Sequence, residues 1–199
     1  MQSPEIELKF AVPSLSDLER RIEQLGFQMD TPRTFEQNTL YDTPERILRE
    51  RGELLRVRQY GEKHIITHKR HPDQEDPASI YKVRIETESE VSDGAALAEI
   101  FTRLGFSPAF RYEKFRSEYH HPDHAAGHLV IDETPIGIYA ELEGPPSWID
   151  RTLAELEIDP AACLTESYGK LFLAWKKRTG SSAQNLTFSE IAAPVLVQQ

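Results

Sequence analysis

The 199-residue chain has one cysteine, Cys163, so an internal disulfide is excluded and the fold must hold by packing and polar contacts alone. A single unpaired thiol fits a reducing compartment. No apolar run approaches the length of a membrane span. The segment Met1-Gln2-Ser3-Pro4-Glu5 has neither a basic n-region nor an apolar h-region, so no secretory leader is expected and the expected location is cytoplasmic. Positive charge is in deficit: 23 Lys and Arg against 33 Asp and Glu give a formal net charge of -10. An acidic surface repels nucleic acid and anionic membrane, which removes both as default partners. There is no repeat of 20–50 residues and no low-complexity block. Gly169-Lys170 lacks the upstream glycine-rich run of a phosphate loop. What remains is one domain of ordinary apolar content, expected over residues 1–178, with a C-terminal tail at 179–199.

Periodicity along the chain predicts strands at 4–12, 33–43, 53–60, 63–70, 80–91, 106–120, 128–134 and 137–144. Helices are predicted near 14–25, 45–50, 92–104, 147–157 and 165–178. Ser14 and Asp93 stand as N-terminal caps, and Gly26 and Gly105 as stops. Residues 71–79, with two prolines and several acids, read as a loop, and Gly180 onward as a loosely packed tail on which Phe188 and Ile191 could dock. The connections are mostly of hairpin length, so the strands pair antiparallel and the class is α+β.

Charge placement within those strands carries the chemistry. Residues two apart on a strand share a face. Glu5, Glu7 and Lys9 share one opposite Ile6, Leu8 and Phe10. The same holds for Arg56 and Arg58, for Thr67 and Lys69, and for Lys82, Arg84, Glu86 and Glu88. It holds again for Lys114 and Arg116, and for Glu141 and Glu143, while Asp132 alternates with Ile131. On any single strand, charges facing water explain this best. Repetition across the strands weakens that reading, because the helices supply apolar faces that must pack against the sheet. If they cover it from outside, the ionic faces point into a barrel. Desolvating unpaired charge is expensive, so such an interior makes sense as a site for a highly charged ligand. Bases suit phosphate oxygens, and acids suit a hard divalent cation. Together they describe a metal–polyphosphate site.

The ordered set Glu5-Ile6-Glu7-Leu8-Lys9, Tyr41-Asp42-Thr43, Leu55-Arg56-Val57-Arg58, Thr67-His68-Lys69, Arg84-Ile85-Glu86, Lys114-Phe115-Arg116, Ile131-Asp132 and Ala140-Glu141-Leu142-Glu143 resembles the CYTH superfamily of triphosphate tunnel metalloenzymes. The resemblance spans roughly residues 4 to 175. It implies an eight-stranded antiparallel β-barrel forming a tunnel, with helices packed outside. It implies that Glu5, Glu7, Glu141 and Glu143 hold Mg²⁺ or Mn²⁺, joined by Asp132 and by Glu86 or Glu88. It implies that Lys9, Arg56, Arg58, Lys69, Arg84, Lys114 and Arg116 hold a triphosphate, and Lys82 joins them by strand parity. Glu7 and Lys69 are assigned the catalytic roles. Some members add a lysine from a C-terminal helix, and Lys170 stands in that place but reads as a solvated helix lysine.

His120, His121, His124 and His128 cluster around Pro122 and Gly127 and read as a solvated turn, since no closed four-ligand zinc set is present. Trp148 and Trp175 read as packing residues of outer helices. Three activities fit the charged set. Water as nucleophile gives a triphosphatase acting on tripolyphosphate or an organic triphosphate such as thiamine triphosphate. The ribose 3′-hydroxyl of ATP gives an adenylyl cyclase. A non-catalytic polyphosphate binder is the third, and the many carboxylates count against it. Hydrolysis ranks above cyclisation, since no base-recognition motif is legible. Neutralising Glu7 or Glu141 is expected to remove activity, and relief of repulsion among the acids to leave the fold intact. The oligomeric state is open, with a homodimer as one outcome.

Overall fold

The computed structural model describes residues 2–191 apart from Glu75 and Pro77, with side chains from Pro4 onward. Two residues of the expected 71–79 loop, and residues 192–199 of the tail, lie outside the described residues. Eight strands carry the fold: β1 (Gln2–Ala11), β2 (Gln28–Asp42), β3 (Leu54–Tyr60), β4 (Lys63–Arg70), β5 (Lys82–Val91), β6 (Ser107–His120), β7 (His128–Thr134) and β8 (Gly137–Glu143). They form a closed barrel in the order β1-β5-β4-β3-β2-β6-β7-β8, with every pairing antiparallel. β8 returns to β1, with Lys9 opposite Glu141 and Glu7 opposite Glu143, so the sheet has no free edge.

Local chemistry sets the helices where the sequence places them. Helix α1 (Leu15–Gln24) starts where the Ser14 hydroxyl accepts from the Asp17 N–H. Helix α2 (Ile47–Glu50) is a single turn in the β2–β3 connection. Asp93 caps α3 (Gly94–Arg103) by accepting from the N–H groups of Ala95 and Ala96 at 2.9 Å each. Helix α4 (Pro146–Glu155) opens on a proline, whose missing N–H is of no consequence in a first turn. Ser167 caps α5 (Tyr168–Thr179), and Gly180 ends it at φ +70°.

β2 begins at Gln28, five residues before its expected start. Pro32 is the reason. A proline donates no ladder hydrogen bond, and the structure seats it at register shifts between Met29 and Thr31 and between Thr31 and Thr34. The described part of the tail packs closely, and Phe188 and Ile191 dock on the body as expected. Leu186 is fully buried, its N–H donates to the Arg111 carbonyl, and the Glu113 N–H donates to the Leu186 carbonyl. Phe188 meets Phe115 at 5.4 Å between ring centres. The run to Ile191 is therefore docked along β6.

The apolar residues of β1, β7 and β8 face outward onto helices. Leu8, Phe10, Leu129, Ile131, Ala140 and Leu142 form one cluster with Leu18 and Ile22 of α1 and Trp148, Ile149 and Leu153 of α4. Gly127 permits the close approach of α4, since a Cβ there would stand 2.2 Å from Trp148 Cε2. With this cluster outside, the alternate residues of the same strands face the lumen. A second cluster joins Tyr168 and Phe172 of α5 to Tyr112 and Leu186, with Leu40, Phe110 and Tyr139 packed against it.

Leu142→Ala is expected to lower unfolding free energy by about 3 kcal/mol in urea titration, because a fully buried side chain leaves a cavity against α4. A loss under about 1 kcal/mol would show that the helices do not form the core.

Candidate functional site: the charged lumen

Residues directly opposite on antiparallel neighbours point to the same face, and the pairings trace one ring of charge. Glu5 lies opposite Arg84, and Glu7 opposite both Lys82 and Glu143. Lys69 faces Glu86, Thr67 faces Glu88, and Arg56 faces Thr67. Arg58 pairs with Asn38, Glu36 with Lys114, Arg116 with Asp132, and Lys9 with Glu141. Every charge singled out in the sequence lies on this face. Contacts that skip a strand show that the face is concave. Lys69 on β4 reaches over β5 to Glu5 on β1 at 2.6 Å. Arg116 on β6 reaches over β7 to Glu141 on β8 at 2.8 Å.

Around Asp132 the charges are fully compensated. Arg116 donates Nε to Oδ1 at 2.7 Å and Nη2 to Oδ2 at 2.6 Å, the bidentate fork that guanidinium geometry favours. Lys114 Nζ donates to Oδ2 at 2.8 Å, and Tyr168 Oη donates to the same oxygen at 2.6 Å. Burial and the adjacent Asp132 hold the Tyr168 phenol well above its ordinary value. Lys9 donates to Glu141 at 2.6 Å and stands 4.2 Å from the centre of the Tyr168 ring. Burial acts to raise the Glu141 carboxyl, but Lys9, Arg116 and Lys114 hold it well below the usual carboxylate range.

On β1, β5 and β8 the acids crowd one another. Lys69 donates to both Glu5 oxygens and lies 3.4 Å from Glu86, and Lys82 donates to Glu7. Burial works against the Glu5 carboxylate, yet Lys69 brings its pKa down. Among the described residues no cation is hydrogen-bonded to Glu143, and Lys69 offsets its surroundings only in part. Burial, then Glu5 and Glu7, push its carboxyl up to about 7. Glu86 is also raised, first by burial and despite Lys69. Among the described residues no three acid, histidine or cysteine groups converge closely enough to enclose an ion. The donor chemistry nevertheless fits a hard divalent cation, because Glu5, Glu7 and Glu86 stand near enough to raise the Glu143 pKa and a cation among the four would remove that penalty.

Arg56 completes the lumen. It donates Nη1 to Tyr112 Oη at 3.1 Å and Nη2 to Thr67 Oγ1 at 3.0 Å, and Thr67 donates to Glu88 at 2.9 Å. Four lumen residues went unread in the sequence. Glu36 and Asn38 alternate on the predicted strand 33–43, but Leu40 follows at the next inward position and breaks the ionic run. Tyr112 continues the parity of Lys114 and Arg116, though nothing marks it as polar. Tyr168 belongs to a helix, where strand parity has no meaning. His121 and His124 lie in the β6–β7 turn, while His120 ends β6 and His128 opens β7 opposite it, and His121 Nε2 is 3.0 Å from the Leu25 carbonyl. Trp148 is buried in the outer cluster.

Glu141 anchors Lys9 and Arg116, which counts against relief of repulsion on its loss, whereas Glu143 stands among acids. Glu143 is raised in the fold, so its contribution is favourable below about pH 4.5 and is lost as pH rises through about 7. Glu143→Gln should raise stability at pH 8, by on the order of 2 kcal/mol, with the gain shrinking toward pH 4.5. Glu141 is depressed, so its contribution is present above the unfolded pKa and lost as pH falls. Glu141→Gln should lower stability at pH 8 and converge on wild type in acid. Urea unfolding of the metal-free chain across pH checks both, and equal responses of the two variants would contradict the division of charge.

A sequence model of the CYTH domain family matches residues 3–159. The chain is 27% identical over 155 residues to a Methanocaldococcus jannaschii protein named “Putative adenylate cyclase”, covering 76% of this chain and 85% of that one. It is similar to the solved PH1819 protein of Pyrococcus horikoshii, at 22% identity and a TM-score of 0.70, over 86% of this chain and 99% of the other. It is also similar to HpAC1 from Hippeastrum, described with a dominant triphosphatase activity, at 20% identity and a TM-score of 0.62, over 86% and 96% of the two chains. At these identities the structural likenesses speak for the fold. Because the family match runs through most of the chain, and the closed barrel with its inward charges accompanies it, the chain belongs to the CYTH domain family.

Proposed function

We propose that the chain is a divalent-metal-dependent triphosphatase that hydrolyses a phosphoanhydride bond of an inorganic or organic triphosphate in the lumen. The observation that carries this reading is the unequal pairing of the lumen charges. Acids crowd together at Glu5, Glu7, Glu86 and Glu143, where Lys69, Lys82 and Arg56 answer them in part, while Arg58, Lys114 and Arg116 lie elsewhere around the same wall. Glu5, Glu7 and Glu143, with Glu86 beside them, would hold Mg²⁺ or Mn²⁺, and that ion would supply positive charge to offset the charge developing on the phosphates. Lys69 and Lys82, which hold Glu5 and Glu7, would then be released toward phosphate. Asp132 acts by orienting Arg116 and Lys114, since its oxygens already accept four hydrogen bonds. Arg56, Arg58 and Arg84 supply further guanidinium groups to the phosphate chain. Positioning and charge neutralisation account for most of the catalysis in phosphoryl transfer.

Cyclisation of ATP is the second reading, favoured by the name of the Methanocaldococcus jannaschii relative. It requires a nucleoside held firmly, with its 3′-hydroxyl within roughly 3.5 Å of the α-phosphorus. Tyr168 and Phe172 of α5 pack onto the inward residues Phe110, Tyr112, Tyr139 and Leu40, so that end of the lumen is already filled with side chains. This favours a compact triphosphate.

With Mg²⁺, tripolyphosphate or thiamine triphosphate should release orthophosphate faster than ATP yields cyclic AMP, as chromatography of the products will show. Glu7→Gln should lower kcat by on the order of 100-fold, and excess chelator should abolish turnover. Dominant cyclic AMP and pyrophosphate from ATP, with tripolyphosphate uncleaved, would establish the cyclase reading instead.

A further inference from the structure

Three strands separate β2 from β1 in either direction around the barrel, so β2 forms the wall facing Glu5 and Glu7 across the lumen. On that wall Glu36 and Asn38 are both completely buried. Asn38 donates Nδ2 to Glu36 Oε1 at 2.8 Å, which leaves its Oδ1 as an acceptor. Neither Asn38 Oδ1 nor Glu36 Oε2 has a hydrogen-bond partner among the described residues. An orphaned acceptor in the interior forfeits roughly 1–3 kcal/mol, and two of them two residues apart on one strand mark the place of a donor.

The surroundings select the donor. Lys114 Nζ is 3.4 Å from Glu36 Oε1, Arg58 Nε is 3.8 Å from it, and Arg116 Nε is 3.9 Å from Oε2. Three fixed cations make the spot unfavourable for a metal ion. Two bare acceptor oxygens make it unfavourable for a phosphate oxygen. A water molecule, neutral and with two protons to donate, satisfies both constraints. Burial acts to raise the Glu36 carboxyl, but Lys114, Arg58 and Arg116 hold it well below the ordinary range, so it remains an acceptor at neutral pH.

We propose that Glu36 and Asn38 seat the water that attacks the triphosphate, on the wall opposite the acidic cluster. This rests on the triphosphatase reading and names the nucleophile's place within it. The water oxygen forms a new bond to the terminal phosphorus as the bridging P–O bond breaks, and the electron pair leaves on the diphosphate oxygen. One water hydrogen stays as the orthophosphate hydroxyl. The other passes through solvent to the departing diphosphate, and Glu36 ends unchanged. Orienting a water by acceptors alone is an established way to assist phosphoryl transfer.

The test uses the full chain with Mg²⁺ and tripolyphosphate, and reads binding separately with pyrophosphate by calorimetry. Glu36→Gln should lower kcat about 100-fold, with KM and the pyrophosphate Kd within about threefold of wild type. Asn38→Ala, which keeps the carboxylate and its ion pairs, should lower kcat about tenfold with the same Kd, and it carries the test if Glu36→Gln fails to fold. Glu36→Asp should recover part of the lost rate. A pyrophosphate Kd that weakens in step with kcat would show that Glu36 only holds Lys114, Arg58 and Arg116, and would overturn the proposal. So would wild-type kcat in both variants. A wild-type chain that hydrolyses no triphosphate would overturn the triphosphatase reading itself, a result separate from either.

Discussion

Asp132 accepts from Arg116 twice, from Lys114 once and from Tyr168 once, and the interior of the barrel is organised outward from that carboxylate. A completely buried aspartate left unpaired would be intolerable, so its partners are tied to it as firmly as it is to them. Arg116 then reaches Glu141, Glu141 takes Lys9, and Lys114 comes within 3.4 Å of Glu36. Five strands and one helix are thereby joined through side chains as well as through backbone ladders. The Tyr168 contact matters most for architecture, because it draws the first turn of α5 onto the lumen and fixes which end the helix covers.

Away from Asp132 the compensation runs out. Glu143 shares its neighbourhood with Glu5, Glu7 and Glu86, and Lys69 offsets them only in part. Evolution of a merely stable barrel would replace such a group, since a neutral side chain there packs at less expense. A ligand that brings its own positive charge changes that balance. The lumen thus holds two kinds of charge: one part satisfied by the protein, and one part left for what enters.

Much of this was legible in the sequence because strand parity is a strict rule. Glu5, Glu7 and Lys9 must share a face if they lie on one strand, whatever their neighbours do. The barrel itself followed from repeating that pattern on strand after strand, with amphipathic helices between. Parity gave no account of partners. It treated Glu141 and Glu143 alike, though one is clamped by Lys9 and Arg116 and the other stands among acids. Which acid finds a base depends on cross-strand register, and register is decided by closure of the whole ring. Pro32 hid the start of β2, since a bulge at a proline leaves no trace in hydrophobic periodicity. Tyr168 was illegible for a different reason, because its role depends on where a helix 36 residues after Asp132 comes to rest.

Closure of the barrel through β1 and β8 also bears on how the chain reaches this state. Lys9 and Glu141 meet across 132 positions of sequence, and the ladder that seals the ring pairs the first of the eight strands with the last. Such high contact order slows folding, because the entropy of a very long loop is lost before its contacts reward it. Synthesis proceeds from the N-terminus, so β1 must wait beyond the ribosome until β8 has emerged. Throughout that wait the future interior stays hydrated, and its many charges keep a nascent, half-closed sheet from collapsing on an apolar face. The ionic lumen then acts as a solubility tag that disappears from view at the last step of assembly.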